Sequence, residues 1–405
     1  MFWQSLLVKQ GHFGGYMKEM NQKDQPSSES ADDSPESGDL KHGDFSGGKN
    51  REIEIKFGVL GRPENLMELF ESAGGKVSAP QVDDLENVYF DTPDQELFKI
   101  GAGLRIRHGK ELSEQTMKLR GRNLGGIHSR REFNIPVPRK LKVPELGRFP
   151  KEVFPDDFNT EEVQGKLQKA CTIKFRRESF DFEIMDCLFE VAYDHGSIEL
   201  ANGGAYPINE LEIELKGSDL PEASVMLVYN ALVTIFAEQG VPLVLEPFSK
   251  MHRATVLIKG ERNNVRFSNQ STDLGAYIRS LVGTFENLYG LFLLKHDPLV
   301  FSYQNATLRT LCRALKTLLK QGRAAFYQDA REPVDYKSDL KVMIKTLKHY
   351  EKRCRSFEKK ISKSALVLDE FALSEIVDKL RRIENRNRLF VIPLKLRVLL
   401  SMLVD

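Results

Sequence analysis

The chain has 405 residues with 59 Lys and Arg against 58 Asp and Glu, a net charge of +1, and 41% hydrophobic residues. That is enough for a large core and about two or three domains, while the longest apolar runs fall well short of the ~20 residues a membrane helix needs. Four scattered cysteines, Cys171, Cys187, Cys312 and Cys354, form no C-x-x-C pair, which excludes a zinc ribbon and a disulfide scaffold and fits free thiols in the cytoplasm.

The opening MFWQSLLVKQ carries one early charge, Lys9, and no small-residue cleavage site follows it. It therefore does not read as a secretory signal, and Met17 or Met20 is the expected start of the protein. Residues 20–50 are rich in Ser, Gly, Asp and Glu with almost no bulky apolar side chains, so they cannot offset the entropy of ordering. Residues 1–50 are expected to be a disordered leader.

From residue 51 the pattern changes to period two. REIEIKFGV, NVYFDT, GLRIRHG, QTMKLRG, SRREFNIPV, KFRRESFDFEI, LFEVAYDHG and NELEIELKG alternate apolar with charged residues and are separated by Gly, Pro and Asp; these are strands. Helical stretches interrupt them at 63–73, 160–170 and 220–238. The polar face is unusually dense in charge. Glu52, Glu54 and Lys56 oppose Ile53, Ile55 and Phe57; Arg105 and Arg107 oppose Leu104 and Ile106; Lys118 and Arg120 oppose Met117 and Leu119; Glu210, Glu212, Glu214 and Lys216 oppose Leu211, Ile213 and Leu215. A solvent-facing sheet laced with ion pairs would give the same alternation in any one strand. Repetition over about eight strands points instead to a barrel whose apolar faces pack outward and whose charged faces line a lumen with room for one small ligand. Such a lumen needs counter-charges, and a metal-bound polyanion supplies both signs.

Later in the chain apolar positions recur every three or four residues, in AYIRSLVGTFENLYGLFLL, DLKVMIKTLKHYEKRCRSFEKKI and LSEIVDKLRRIENR, so residues 265–405 are predicted to be a helical bundle. Basic residues exceed acidic ones there by about eleven, through either an anionic partner or a solvated helical surface. GERNN at 260–264 is the expected junction. The fold class is α+β: an eight-stranded antiparallel β-barrel with flanking helices over 51–260, followed by the all-α domain.

The strand EIEIK at 52–56 resembles the E-x-E-x-K signature of the CYTH superfamily, the triphosphate tunnel metalloenzymes. YFDTPD at 89–94, LRIR at 104–107, TMKLRG at 116–121, RRE at 130–132, FRRESF at 175–180, EVAYDHG at 190–196, ELEIELK at 210–216 and SKMHR at 249–253 are similar to that family's later blocks, in order. The resemblance implies a tunnel that holds a triphosphate with Mg²⁺ or Mn²⁺. It implies that Glu52, Glu54, Glu212, Glu214 and Asp194 serve the metal, and that Arg105, Arg107, Lys118, Arg120, Arg130, Arg177, Lys216, Lys250 and Arg253 hold phosphate. Lys56 would sit near the attacked phosphoryl, with Glu54 and Glu212 beside it as catalytic groups. Glu132, Glu190 and Asp194 would orient basic side chains or reach a second metal through water. His128, His195 and His252 are scattered and expected at the surface or behind the site.

The implied activity is metal-dependent hydrolysis of inorganic triphosphate or a short polyphosphate, releasing orthophosphate. Two readings stand beside it: a nucleoside or thiamine triphosphatase or adenylate cyclase using the same tunnel, and a non-catalytic polyphosphate-binding protein. The helical tail resembles a shortened CHAD domain, with Arg309 and Arg313 at helical spacing and Lys341, Lys345, Lys348, Lys352 and Arg355 as candidate polyphosphate contacts. The tail reads as dispensable for hydrolysis, or as a docking or homo-oligomer surface. Neither a membrane nor a specific nucleic acid is expected as a partner.

Overall fold

The computed structural model describes residues 51–110, 113–124, 127–200, 203–259, 273–322, 335–363 and 370–403. The leader at 1–50 and the junction at 260–264 lie outside the described residues. The strands are β1 (Arg51–Val59), β2 (Lys76–Val77), β3 (Gln81–Asp91), β4 (Ala102–His108), β5 (Ser113–Leu119), β6 (Arg122–Leu124), β7 (Ile127–Pro136), β8 (Gln168–Ile184), β9 (Cys187–Glu199), β10 (Ala205–Ser218) and β11 (Leu243–Leu245). Helices α1 (Leu66–Ser72), α2 (Glu96–Lys99), α3 (Thr160–Lys166), α4 (Glu222–Glu238) and α5 (Lys250–Lys259) lie among them. Then come α6 (Leu274–Lys295), α7 (Pro298–Gln321), α8 (Lys337–Lys363), α9 (Glu370–Arg386) and α10 (Ile392–Met402).

The strand path β1-β10-β9-β8-β3-β4-β5-β7 returns to β1, because β1 pairs with both β10 and β7. Every step is antiparallel. Eight strands thus form a closed barrel, with no free edge among them; β11 adds outside β1. The β8–β9 hairpin turns through Met185 and Asp186, whose φ values of 49° and 57° give the two left-handed residues of a tight hairpin loop. In the YFDTPD segment Asp91 gathers the turn before β4, accepting hydrogen bonds from the backbone N–H groups of Thr92, Leu97 and Phe98.

The helix expected at 160–170 ends at Lys166, because Gln168 onward is drawn into β8, whose ladder with β3 rewards extended backbone. The other two expected helices are present as α1 and α4, each a few residues shorter than expected.

Outward faces of the barrel are apolar and covered. Ile55, Phe57, Val191, Leu211 and Ile213 pack beneath Tyr229, Leu232 and Phe236 of α4. The same apolar cluster continues without a break into Ile278 and Phe285 of α6, Phe390, and Leu396 of α10. A second cluster covers Leu104, Ile106, Met117 and Phe133 with Leu146, Phe149, Val153 and Val163. A third closes one end of the lumen: inward-facing Ile173, Phe175, Ile198 and Ile208 meet Met251, Ala254 and Leu257 of α5.

Helices α6 and α7 are well delimited. Asp273 caps α6 by accepting from the N–H groups of Gly275 and Ala276, and Asp297 caps α7 ahead of Pro298, which ends at Gly322 with φ 63°. Their region is joined to the barrel by more than apolar contact. Phe390 meets Phe57 edge-on, ring centroids 5.6 Å apart. Asn385 donates to the carbonyls of Val241 and Leu243, and Glu384 accepts from the N–H of Leu245. Gly58 permits this approach, since a Cβ there would stand 2.6 Å from Nη2 of Arg381.

A core shared in this way makes the helices part of the barrel's stability. Phe390 is 2% exposed, and Phe390→Ala is expected to cost about 3–5 kcal/mol. Chemical denaturation of the full chain, followed by a probe in the barrel and one in the helices, should show both transitions moving together. Loss confined to the helical probe would contradict a common core.

Candidate active site

Period two does most of the construction. On β1 Glu52, Glu54 and Lys56 point inward, on β10 Glu210, Glu212 and Glu214, on β7 His128, Arg130 and Glu132. The residues enclose a cavity of about 900 Å³ whose lining holds ten basic and seven acidic side chains, an excess of three positive charges. Of the residues singled out from sequence, Glu52, Glu54, Lys56, Arg105, Arg107, Lys118, Arg120, Arg130, Arg177, Glu212, Glu214, Lys216 and Lys250 line it. Asp194 and Arg253 do not. Both lie deeper, below the cavity toward the end that α5 closes, with 0% and 2% of their surface exposed.

Register sets opposite charges across from one another: Glu52 faces Arg130, Lys56 faces Glu212, Lys118 faces Glu132 and Arg177 faces Asp194. Arg130 reaches Glu52 at 2.6 Å and Glu54 at 3.1 Å. Lys118 bridges Glu52 (2.9 Å) and Glu132 (2.6 Å). Arg177 grips Asp194 with two nitrogens, Nε to Oδ1 at 2.8 Å and Nη2 to Oδ2 at 2.7 Å, and shares Nη2 with Glu212 at 2.8 Å. Lys56 lies 2.7 Å from Glu212. Lys216 sits 3.1 Å from both Glu190 and Glu214.

These pairs leave the charge unevenly matched. Burial opposes ionisation of Glu52, yet Lys118 and Arg130 hold its carboxyl well below the usual range. Burial likewise works against Glu212, and Lys250, Lys56 and Arg177 overcome it. Glu54 is different: burial, then the negative charges of Glu212 and Glu52, push it up to about 7. Glu214, its cross-strand neighbour, is also raised, mainly by burial. On the other wall Arg107 is lowered to about 10 by burial and by repulsion from Arg105 and Arg177. Its closest carboxylate, on Glu114, is 3.7 Å away. Arg120 is exposed at the rim. In the ring of eight, β4 with its two arginines stands four places from β10, directly across the lumen. Burial works against Arg105 beside Arg107, but Tyr89, then Glu132 at 3.6 Å and Glu114 at 4.0 Å, raise its pKa, so Arg107 is the cation of that wall left least matched.

The tightest carboxylate trio is Asp194, Glu210 and Glu212, whose oxygens lie within 4.8 Å of one another. It is already filled by an ammonium, since Lys250 Nζ is 2.6 Å from Asp194 and 3.0 Å from Glu212 and also contacts Glu210. Glu54 and Glu214, paired across β1 and β10, offer carboxylate oxygens of the kind a hard divalent ion takes, and each has one cationic neighbour at 3.1 Å, Arg130 and Lys216.

His128 corrects the expectation of a surface or background histidine. It is 7% exposed and lines the cavity. Burial, then Lys56 and Arg130, hold it well below its ordinary pKa, so it is neutral, and its Nε2 has no hydrogen-bond partner among the described residues. Its parity with Arg130 and Glu132 on β7 was the available signal. Glu210, fully buried between Lys250 and Arg253, was visible on the charged face but not singled out.

In the helical region Lys341, Lys345, Lys348 and Lys352 flank a separate surface groove of about 760 Å³ with His349. Arg355 pairs with Glu351 at 2.7 Å, and Arg309 lies 3.8 Å from Glu351 and 3.6 Å from Glu358.

Residues 50–225 match the CYTH domain family. The barrel is a CYTH domain. Part of this chain is 33% identical, over 141 residues, to the inorganic triphosphatase of Haemophilus influenzae, an alignment covering 34% of this chain and 38% of that protein. The chain thus spans well under half the length of this curated relative. Among solved structures it is similar to a candidate adenylyl cyclase from Hippeastrum with a dominant triphosphatase activity (17% identity, 53% of this chain and 98% of that one, TM-score 0.36). It is also similar to the PH1012 protein of Pyrococcus horikoshii (20% identity, 49% and 96%, TM-score 0.29). The CYTH match stops before α6, and the CHAD likeness expected of the C-terminal helices is not identified. Among the described residues no helix is long and apolar enough to cross a membrane.

The raised carboxyl of Glu54 has a measurable consequence for the metal-free protein. Its folded pKa of about 7 lies above the ordinary 4.5, so the folded state binds the proton more tightly. The cost of holding it ionised is full above pH ~7 and is relieved as pH falls toward ~4.5. Glu54→Gln removes that cost. The variant's melting temperature in EDTA is expected to exceed wild type by more at pH 8 than at pH 5; a difference independent of pH would show that Glu54 titrates normally.

Proposed function

We propose that the CYTH barrel binds inorganic triphosphate or a short polyphosphate with Mg²⁺ or Mn²⁺ and hydrolyses it, releasing orthophosphate. The observation that carries this is an enclosed, charge-lined cavity with two unlike walls: Glu54 and Glu214, both raised, on β1 and β10, and Arg107, lowered by burial and by neighbouring arginines, on β4 across from β10. A linear polyphosphate with a divalent ion is the simplest ligand that satisfies both walls at once.

In this reading Glu54 and Glu214 hold the ion, with Glu52 and Glu212 flanking it and Asp194 fixing Arg177 from behind. A divalent ion held there would neutralise charge on the phosphoryl oxygens and so lower the barrier to attack by water. Arg105, Arg107, Arg120 and Arg130 bind phosphate oxygens through their planar forks, and Lys118, Lys216 and Lys250 act as point charges. Lys56, inside the same cavity, faces the attacked phosphoryl. Neutral His128 adds an uncharged hydrogen bond to the wall. The apolar floor of Ile173, Phe175 and Ile198 keeps bulk water from that end, where each charge–charge contact is correspondingly stronger.

Glu54→Gln and Glu212→Gln are each expected to lower metal-dependent phosphate release from triphosphate by about 100-fold or more while circular dichroism stays that of the wild type. Unchanged turnover in both would remove the metal assignment. A release panel across triphosphate, longer polyphosphates, ATP and thiamine triphosphate, with Mg²⁺ and Mn²⁺, should favour inorganic triphosphate or a short polyphosphate. Preference for ATP or thiamine triphosphate would assign the barrel to the nucleoside or thiamine class, and binding without turnover would make it a polyphosphate-binding protein.

A further inference from the structure

Arg253 belongs to the phosphate-like SKMHR block, yet it cannot touch a ligand in the cavity. It is 2% exposed, sits on α5 below the cavity, and is held between two carboxylates: Nη1 donates to Glu246 at 3.0 Å and Nη2 to Glu210. Glu210, 0% exposed, uses one oxygen for Arg253 and turns the other to Lys250, with Lys56 at 3.7 Å. Those two lysines line the cavity. The buried carboxylate therefore has two competing claims on its charge, one from below and one from the groups that face the ligand.

Glu246 is itself fixed from the C-terminal helices. It follows Leu245, the last residue of β11, whose N–H is held by Glu384 of α9, and Asn385 binds two more carbonyls of that segment. Tyr289 of α6 donates to the other oxygen of Glu384. Arg381 of α9, partly buried, lies close enough to Tyr289, Glu246, Tyr206 and Glu384 for them to raise its pKa against the effect of burial. A continuous run of buried polar groups thus leads from α6 and α9 to the lysines of the barrel.

We propose that Arg253 and Glu246 are positioning residues: from below the cavity they set how much of Glu210's negative charge falls on Lys56 and Lys250, and so how tightly the cavity holds a polyphosphate, with the C-terminal helices holding Glu246 in place. With Arg253 in position Glu210 is half satisfied, and the two ammonium groups keep positive potential for phosphate oxygens. Without it the whole carboxylate charge is drawn from the lysines. This rests on the triphosphate reading of the cavity.

The test is calorimetric titration of the full chain with inorganic tripolyphosphate in EDTA, where no metal contributes. Wild type binds; Arg253→Met is expected to bind about tenfold or more weakly, since one unit of charge is lost within a low-dielectric wall. Arg253→Lys should stay near wild type, and the double variant Glu210→Gln, Arg253→Met should recover most of the loss, a restoration that a purely structural role would not give. Unchanged affinity in Arg253→Met, or a double variant no better than the single one, overturns the proposal. Should Arg253→Met fail to fold, Glu246→Gln serves: tighter binding is expected, because Arg253 is then left to Glu210 alone, and unchanged affinity overturns it. A wild-type chain that binds no tripolyphosphate removes the underlying triphosphate reading, whereas normal wild-type binding with unaffected variants removes only this inference.

Discussion

Closing eight strands into a ring sends every second side chain into one shared interior, and here those side chains are mostly charged. Buried charges are tolerated only with partners, so the registers that place Glu52 against Arg130 and Arg177 against Asp194 are conditions of folding as much as features of a site. Closure removes the strand edges, the registers neutralise most of the interior, and what remains unneutralised is what a ligand can meet. Glu54 and Glu214 on one side and Arg107 on the other are the groups whose ionised forms the interior supports least.

Strain of this kind has to be offset elsewhere, and the outer face supplies it. The apolar residues that alternate with the charged ones form a core that continues through α4 into α6, Phe390 and α10. The C-terminal helices also grip β11 through Glu384 and Asn385, beside the strand that carries Glu52, Glu54 and Lys56. Tail and barrel therefore share a core, so the expectation that deleting residues 265–405 spares hydrolysis is one about a fragment that still folds. The lysines of α8 that suggested a polyphosphate contact border a separate groove, away from the cavity residues.

Much of this was legible in the sequence because alternation fixes the face of a strand. EIEIK, LRIR and ELEIELK announce which side chains point inward before any coordinates exist, and the barrel follows from how many strands repeat the pattern. Depth along the barrel axis is another matter. Asp194 and Arg253 carry the right chemistry but lie one layer below the cavity, and only the stagger of the strands and the placing of α5 decide that. His128 has the parity of Arg130 and Glu132 but stood out less than the charges around it. Strand β11 escaped notice because LVL is a short apolar run, fully buried, with no periodicity to read, whereas α10 fell inside the predicted helical region without being singled out. The over-long helix at 160–170 failed for a related reason: pairing with β3 claimed Gln168 against its local preference.

The central claim is that ion and phosphates meet inside the barrel, between its two unlike walls. A crystal structure of the full chain with Mn²⁺ and a non-hydrolysable triphosphate analogue, with the ion located by its anomalous signal, tests this most directly. The account predicts Mn²⁺ at Glu54 and Glu214, with phosphate oxygens against Arg105 and Arg107. An analogue bound only on the helical surface, with the barrel cavity holding neither ion nor phosphate, would contradict it.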